Sequence, residues 1–332
     1  MTTDAWITEL LGGAAPRDGH VVERNGCELT FREGIVRDLA IQSAPQAQTR
    51  DMFAFKWGQR ASYGGDATSD AQRAWLLERY GDIGSPLRND ALVLDAGCGA
   101  GFAADLLFGR NLERLRYVGV DLSASIDIAR ERLAARTPNA FFIQGDILKL
   151  PFAPESFDLV LSEGVLHHTP STRDALCALT NLVKPGGQIA FYVYAEKGPV
   201  REFTDDFIRG IVANMSPEEA WKALMPLTAL GKALGDLGAE IEVPDEIDFL
   251  GIPKGRISVQ RLFYYYVCKA YHRPEYTLEE MNHINFDWFT PHYCHRQRPE
   301  EVAEWCRDVG LEIEMLKTEL SGITAIATKP AR

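Results

Sequence analysis

The chain has 332 residues, 46% of them apolar, and carries 47 acidic against 35 basic side chains for a formal net charge of −12. That length predicts one large or two small domains around a real core, and the acidic balance excludes the basic footprint that a nucleic-acid partner or an anionic membrane surface needs. No apolar stretch approaches the roughly 18 residues of a membrane span. The start, Met1 to Trp6, lacks the basic and apolar regions of a leader. Cys27, Cys98, Cys177, Cys268, Cys294 and Cys306 are scattered with no Cys-x-x-Cys pair, which predicts neither a disulfide framework nor a zinc ribbon. The expectation is a reduced, cytoplasmic protein with no nucleic-acid or membrane partner.

Along the chain, residues 17–45 alternate weakly and carry Gly19, Gly26 and Gly34, and Val21 to Phe31 reads as a small hairpin. Residues 46–89 hold Phe53, Phe55, Trp57 and Tyr63 and then a helix near Ser69–Tyr80, expected to form a lid. Residues 92–101, Leu-Val-Leu-Asp-Ala-Gly-Cys-Gly-Ala-Gly, follow. An apolar run that ends in Asp95, with glycines at 97, 99 and 101, predicts a buried strand, a tight glycine turn and a helix opening near Phe102. Such a turn lets a ligand lie against bare backbone at the carboxyl end of a sheet. A dinucleotide fingerprint, G-x-G-x-x-G, needs its third glycine at 102, where the chain has Phe102.

Tyr117 to Val120 is a second apolar run, ending at Asp121. An acid there can accept both hydroxyls of a ribose; it can also cap the helix beginning near Ser123. Phe141 to Ile143 forms a third strand that leads to Asp146, and Phe157 to Ser162 a fourth that runs into Glu163 and a Leu166-His167-His168 turn. Residues 173–184 are helical in period, Lys184-Pro185-Gly186-Gly187 stops that helix, and a fifth strand spans Gln188 to Tyr194.

These motifs, in this order, resemble the class I S-adenosylmethionine-dependent methyltransferases. The Phe-Asp-Leu-Val strand, the Leu-His-His turn and the Lys-Pro-Gly-Gly stop resemble their ubiquinone/menaquinone-type small-molecule branch. Asn181 departs from that branch, which has a basic residue there, and touches helix surface. The resemblance is strong over residues 90–195 and moderate over 299–328. It implies an α/β fold, a doubly wound seven-stranded Rossmann-like methyltransferase sheet with an antiparallel edge and a helical cap insertion. It implies S-adenosyl-L-methionine as cofactor, with S-adenosyl-L-homocysteine as product. Asp95, Gly97, Cys98, Gly99 and Gly101 would form the nucleotide loop; Asp121 and Leu122 would face the ribose. Asp146 would bind the adenine amino group, with Ile147 beside it. Ser162 and Glu163 sit where the methionine end belongs: Glu163 either pairs with the ammonium or is solvated. The stretch Glu28–Leu39 faintly resembles a zinc-ribbon-like leader without its cysteine pairs, so no metal is expected there.

Four segments follow: an N-terminal extension and lid over 1–89, a cofactor-binding core over 90–195, a mainly helical cap over 196–298 and completion of the core over 299–332. The last holds a helix over Pro299–Val309, with proline and acids in its first turn and Gly310 at its end, then strands Leu311–Lys317 and Ile323–Lys329. In the insertion, 200–237 and 256–272 have helical apolar periodicity, punctuated by Pro226, Pro244 and Pro253. An insertion at this point of the chain belongs over the carboxyl edge of the sheet, where it would set acceptor specificity.

Methyl transfer from a sulfonium is an in-line displacement that needs the acceptor atom about 3 Å from the methyl carbon. A base is useful only when the acceptor must lose a proton. His167 and His168 are candidates for that base, or for an acceptor ligand; the alternative is a turn histidine bonded to backbone. Asp287 and His295 are further candidates, from the polar-aromatic run Asn285 to Arg296. Trp288, His292 and Tyr293 in that run, with Tyr194, are candidate acceptor contacts; packing and capping are the alternative for each. Arg201 either pairs with an anionic acceptor or faces solvent. Trp57 and Tyr63 either cover the sulfonium or adenine or belong to a core. Phe263 to Tyr266 reads as a helix with rings toward both core and pocket. His292, Cys294, His295 and His283 lack zinc-finger spacing, so no metal is expected.

The expected function is methyl transfer to a small polar metabolite. Its rivals are an NAD-dependent oxidoreductase, which Phe102 and the Lys-Pro-Gly-Gly stop disfavour, a non-catalytic S-adenosylmethionine-binding regulatory protein, and a protein methyltransferase. An exposed aromatic cap leaves a homodimer open.

Overall fold

The computed structural model describes residues 3–12, 18, 19, 21–24, 26–38, 43–63 and 65–331. Met1 and Thr2 of the expected leaderless start, Asn25 of the hairpin turn and Leu39 of the Glu28–Leu39 stretch lie outside the described residues.

The first described elements are α1 (Thr3–Leu10) and the strands β1 (Val21–Arg24), β2 (Cys27–Arg32) and β3 (Ile35–Asp38). The expected hairpin forms, and a third strand continues it into an antiparallel meander. Glu33 and Gly34, between β2 and β3, both have positive φ, the twist that a two-residue hairpin turn demands. Then come α2 (Ala44–Gly58), α3 (Asp66–Tyr80), β4 (Leu92–Ala96), α4 (Phe102–Phe108), β5 (Arg116–Asp121), α5 (Ser125–Leu133), β6 (Ala140–Gln144) and β7 (Phe157–Glu163). They are followed by α6 (Thr172–Leu182), β8 (Val183–Tyr194), α7 (Pro199–Val212), α8 (Pro217–Asp236), β9 (Glu240–Val243), β10 (Gly255–Ser258) and α9 (Val259–Tyr266). The chain ends with α10 (Leu278–Phe289), α11 (Pro299–Asp308), β11 (Glu312–Thr318) and β12 (Gly322–Thr328).

Ten strands form one sheet in the order β1-β2-β3-β6-β5-β4-β7-β8-β12-β11. The seven from β6 to β11 are the expected doubly wound sheet, parallel from β6 to β8 and closed by antiparallel β12 and β11. The expected count of seven is corrected by the meander, whose β3 pairs in parallel with β6 through Val36 and Arg37. Strand order reverses at β4, which lies between β5 and β7. A crevice opens at the carboxyl ends of strands at such a reversal. The central strands are apolar on both faces, as a sheet covered on both sides requires: Leu94, Val118, Phe141, Val160 and Phe191 on one face and Val93, Tyr117, Phe142, Leu159 and Ala190 on the other are all buried.

Helix α6 starts where Ser171 Oγ accepts the Asp174 N–H at 3.2 Å. It ends at Leu182, before the Lys-Pro-Gly-Gly motif, which instead lies inside β8. There the pairing with β7 shifts from Phe157–Val183 to Leu159–Gln188. Pro185 has no N–H to give and Gly187 packs against the Asp158 and Phe157 carbonyls, so the motif suits an irregular stretch of strand.

The chain divides into two compact units: residues 1–46, 72–195 and 297–332, which hold the sheet, and residues 47–71 and 196–296. In the second unit α8 and α10 pack together, with Phe286 and Phe289 of α10 buried. Thr228 donates to Asn282 Oδ1 at 2.7 Å and accepts from Asn285 Nδ2 at 2.8 Å. Pro226 does not end a helix; α8 continues through it to Asp236. The 256–272 segment is only partly helical, since β10 pairs with β9 before α9 begins. Helix α7 buries Arg201, Asp205 and Arg209 and exposes Val200, Phe203, Phe207 and Ile211. Among the described residues no helix is long and apolar enough to cross a membrane.

Candidate functional site

The glycine loop joins β4 to α4. Gly97, Gly99 and Gly101 have φ of 83°, 53° and 74°, left-handed backbone that glycine adopts without penalty. At Gly97 a Cβ would also lie 2.4 Å from the Val165 methyls. The Gly97 and Cys98 N–H groups both donate to the Val120 carbonyl, at 2.8 and 2.9 Å, so the loop is fixed to the end of β5. The Gly99 N–H donates to Asp121 Oδ2 at 2.9 Å. Asp121 Oδ1 accepts from the Ser123 N–H at 2.8 Å, Ser123 Oγ at 2.7 Å and Ser125 Oγ at 3.1 Å. Asp121 thus organises its own turn and tethers the loop. Oδ2, with one hydrogen bond, retains acceptor capacity for a hydroxyl donor. A side-chain-free cradle beside a carboxylate fits the adenosyl part of S-adenosylmethionine.

Asp95 lies buried beneath this loop and accepts from Tyr117 Oη at 2.8 Å. Burial pushes its carboxyl up to about 7, against the hydrogen bond from Tyr117, while nearby Asp121 and Glu163 push it the same way as burial. Burial also raises the Cys98 thiol well above its ordinary range, which keeps it a neutral packing group. Ser162 is buried and ties β7 to β4 by donating to the Ala96 carbonyl at 3.0 Å.

Glu163 is not solvated. It accepts from Tyr80 Oη and lies 3.8 Å from Arg79 Nη1. Burial raises its carboxyl, and Arg79 and Tyr80 hold it down. Arg79 is itself only 1% exposed and is stacked between Trp75 and Tyr192, at 3.6 and 3.5 Å from the ring centroids. Sequence reasoning placed Arg79 and Tyr80 on a helix but gave them no role. Their tie to Glu163 spans more than eighty residues, and no local pattern encodes it.

His167 and His168 occupy a short turn after β7, both buried, with the His168 N–H donating to the Val165 carbonyl at 2.8 Å. Their rings lie 4.2 Å apart, and His167 packs on Tyr194 at 3.8 Å, so three of the predicted residues form one aromatic group. Asp146 Oδ1 accepts the Leu148 N–H and Oδ2 accepts Gln46 Nε2, both at 2.9 Å. Ile147 is buried beside it, and the Leu122 carbonyl accepts from Gln144 Nε2 at 3.4 Å.

The other predicted residues belong to the second unit. Trp57, Tyr63 and His283 cluster, with Trp57 to Tyr63 at 5.1 Å and Trp57 to His283 at 5.5 Å. His283 meets Ser62 Oγ at 2.8 Å, and its pKa is lowered well below the usual range, by burial first and then by Lys56. Asp287 forms an ion pair with Lys56. Arg201 does not face solvent; it is buried, donates to Asp205 and to the Tyr264 carbonyl, and shares Asp205 with the Trp288 indole N–H at 2.7 Å. Arg209 Nη2 donates to the Trp288 carbonyl at 2.9 Å. The His292 N–H donates to Gln48 Oε1 at 2.9 Å, and Tyr293 stacks on His295 at 6.1 Å. Arg201 and Trp288 thus meet at Asp205; Lys197 and Lys269, which the sequence reading missed, lie over the Trp288 ring, and Asp287 pairs instead with Lys56. Among the described residues no group of three or more His, Cys, Asp or Glu could hold a metal ion.

A family model described as a methyltransferase domain matches residues 94–191. The phthiotriol/phenolphthiotriol dimycocerosates methyltransferase of Mycobacterium tuberculosis is 37% identical over 111 residues, 33% of this chain and 39% of that protein. An uncharacterized methyltransferase of Mycobacterium bovis is 37% identical over 103 residues, 31% of this chain and 50% of that protein. The chain thus spans half or less of the length of these curated relatives. A crystal structure of Burkholderia thailandensis 1,6-didemethyltoxoflavin-N1-methyltransferase, with 1,6-didemethyltoxoflavin and S-adenosylhomocysteine bound, covers 95% of this chain and 100% of its own, at 16% identity and a TM-score of 0.44, too slight a likeness for argument. The glycine loop and the acids Asp95 and Asp121, at the ends of β4 and β5, lie within the matched segment: residues 94–191 carry a methyltransferase domain.

Proposed function

We propose that the chain transfers a methyl group from S-adenosylmethionine to a small polar metabolite by in-line displacement. The observation that carries this reading is the glycine loop tethered to Asp121 at the strand-order reversal. When bound, the cofactor supplies a methyl group on a sulfonium whose departure leaves a neutral thioether, so no residue has to protonate the leaving group. Gly97 to Gly101 would pass under the adenosyl group, Asp121 would accept the ribose hydroxyls, and Asp146 would share Oδ2 with the adenine amino group. Glu163, held by Arg79 and Tyr80, would face the cofactor's ammonium. His167 or His168 would take a proton from a hydroxyl acceptor. Residues 1–89 would act as an N-terminal extension and lid and 196–298 as a cap supplying acceptor contacts, among them Trp288, His292, Tyr293 and His295.

The test is incubation with methyl-labelled S-adenosylmethionine and a panel of amines, phenols, sugars and carboxylic acids. Label in a small-molecule product supports the reading. Cofactor binding with no labelled product across the panel favours the regulatory alternative.

The six free cysteines support a reduced, cytoplasmic setting. The exposed face of α7, where Phe203 and Phe207 stack at 6.4 Å, supports a homodimer. Light scattering should give twice the chain mass, and Phe203→Glu with Phe207→Glu should halve it. A monomeric native protein removes that part of the reading.

A further inference from the structure

Asp146 sits in the turn that follows β6, and most of that turn holds itself. The Gly145 N–H donates to the Asp121 carbonyl, the Lys149 N–H to the Asp146 carbonyl and the Leu148 N–H to Asp146 Oδ1, each at 2.9 Å. Local bonds thus account for the backbone and for one carboxylate oxygen. The other oxygen is held from 100 residues away, where Gln46 Nε2 donates to Asp146 Oδ2 at 2.9 Å. Both residues belong to the sheet-bearing unit.

Gln46 is itself oriented. It is the third residue of α2, and its Oε1 accepts the Ser43 N–H at 3.3 Å and Ser43 Oγ at 3.0 Å. Its own N–H donates to Ser43 Oγ at 3.4 Å. Together these form a Ser-x-x-Gln capping box, which satisfies backbone donors at the helix start. With its oxygen committed to Ser43, the amide turns its nitrogen toward Asp146. A capping box works with Glu as well as with Gln. The helix start therefore explains an acceptor oxygen at position 46, but not a donor aimed at Asp146. Arg37, from the same N-terminal stretch, is also tied to this edge of the sheet. It pairs with Gln144 in β6, donating to Gln144 Oε1 at 2.6 Å and to Asp127 Oδ1 at 2.7 Å. Arg37 and Gln46 both precede residue 94, where the methyltransferase match begins, so the two ties are additions to the matched segment.

A carboxylate oxygen carries two lone pairs, and the Gln46 bond at Oδ2 leaves one of them for a second donor. With Oδ1 held by Leu148 and Oδ2 by Gln46, the carboxylate is set before any ligand arrives. An incoming donor then meets an acceptor whose side chain is already ordered, which removes that cost from binding.

We propose that Gln46 is a positioning residue for the cofactor's adenine: its amide fixes Asp146 so that Oδ2 accepts the 6-amino group, which makes the start of α2 part of purine recognition. This inference rests on the reading of Asp146 as the adenine acid.

The experiment is calorimetric titration of the full chain and its variants with S-adenosylhomocysteine, and with the analogue that carries unsubstituted purine in place of adenine. Thermal denaturation confirms that each variant is folded. Gln46→Glu keeps the capping box but sets one carboxylate against another, and should weaken S-adenosylhomocysteine by roughly tenfold. Ser43→Ala breaks the box but keeps the donor, and should stay within about twofold of the native chain. Gln46→Ala should weaken S-adenosylhomocysteine by roughly threefold, the cost of ordering one more side chain. It should add no further loss on top of Asp146→Ala, and should leave the affinity for the purine analogue unchanged. The proposal is overturned if both Gln46 variants bind S-adenosylhomocysteine as the native chain does. It is overturned too if Ser43→Ala loses as much as Gln46→Glu, which would make Gln46 a helix cap and no more. Persistence of the full Gln46→Ala loss beside Asp146→Ala, or with the purine analogue, also overturns it. An unchanged affinity in Asp146→Ala would sink the adenine assignment and this inference with it, whereas absence of S-adenosylhomocysteine binding to the native chain would sink the methyl-transfer reading itself.

Discussion

Asp121 does two jobs with one carboxylate. Its Oδ1 organises the turn after β5, and its Oδ2 tethers Gly99 while keeping acceptor capacity. Replacing Asp121 with alanine should weaken S-adenosylhomocysteine at least tenfold, since hydrogen bonds to a charged acceptor are worth about 1.5–3 kcal/mol. Titration of the variant against the native chain checks this, and an unchanged affinity counts against the assignment. Gly97→Ala tests the loop backbone. At φ 83°, with the Val165 methyls in the way, the added Cβ should destabilise the fold by roughly 1–3 kcal/mol in urea denaturation.

Asp95 makes a pH prediction with a definite sign. Its folded carboxyl is raised to about 7, above its value of about 3.9 in an unfolded chain. Between those values the folded protein holds a proton that the unfolded chain has released. Its contribution to stability is therefore complete below about pH 4 and is lost as pH rises through about 7. Asp95→Asn removes this slope. The native chain should lose a few kcal/mol more than the variant between pH 4 and pH 8, and parallel profiles would contradict the burial argument.

At the scale of elements, α3 brings Arg79 and Tyr80 to Glu163 at the end of β7. Arg79→Met strands a buried carboxylate and should cost about 3–5 kcal/mol, while Arg79→Met with Glu163→Gln should recover part of the loss. Additive losses in the double variant would mean that the two side chains do not act as a pair.

Strands β4 to β7 were legible because each is a buried apolar run ending at an acid or a glycine, and Pro299 with Glu300 and Glu301 announced α11. The third meander strand, Ile35–Asp38, was not legible, because its pairing with β6 lies over a hundred residues away. Pro226 misled because tertiary packing of α8 on α10 carries a helix through a residue that punctuates an isolated one. Helix α7 is the sharper lesson. Its 3.6-residue period was readable, but its apolar stripe, Val200, Phe203, Phe207 and Ile211, faces out and its charged stripe faces in. Period fixes an element, whereas the partner fixes which face is buried. Lys197 and Lys269 escaped for the same reason: a lone lysine has no local signature, and only the fold sets two of them around Trp288.

At the scale of the molecule, the sheet-bearing unit is built from three separate stretches of chain and the second unit from two. The sheet-bearing unit holds the matched methyltransferase segment, and ligand linkage follows from that. S-adenosylhomocysteine at a hundred times its Kd should stabilise the unit that binds it by about 2.7 kcal/mol and raise its melting temperature. The central claim is tested most directly by titrating the native chain with S-adenosylhomocysteine and with NAD side by side in a calorimeter. The account predicts saturable micromolar binding of S-adenosylhomocysteine and no heat from NAD. Binding of NAD without S-adenosylhomocysteine would contradict it.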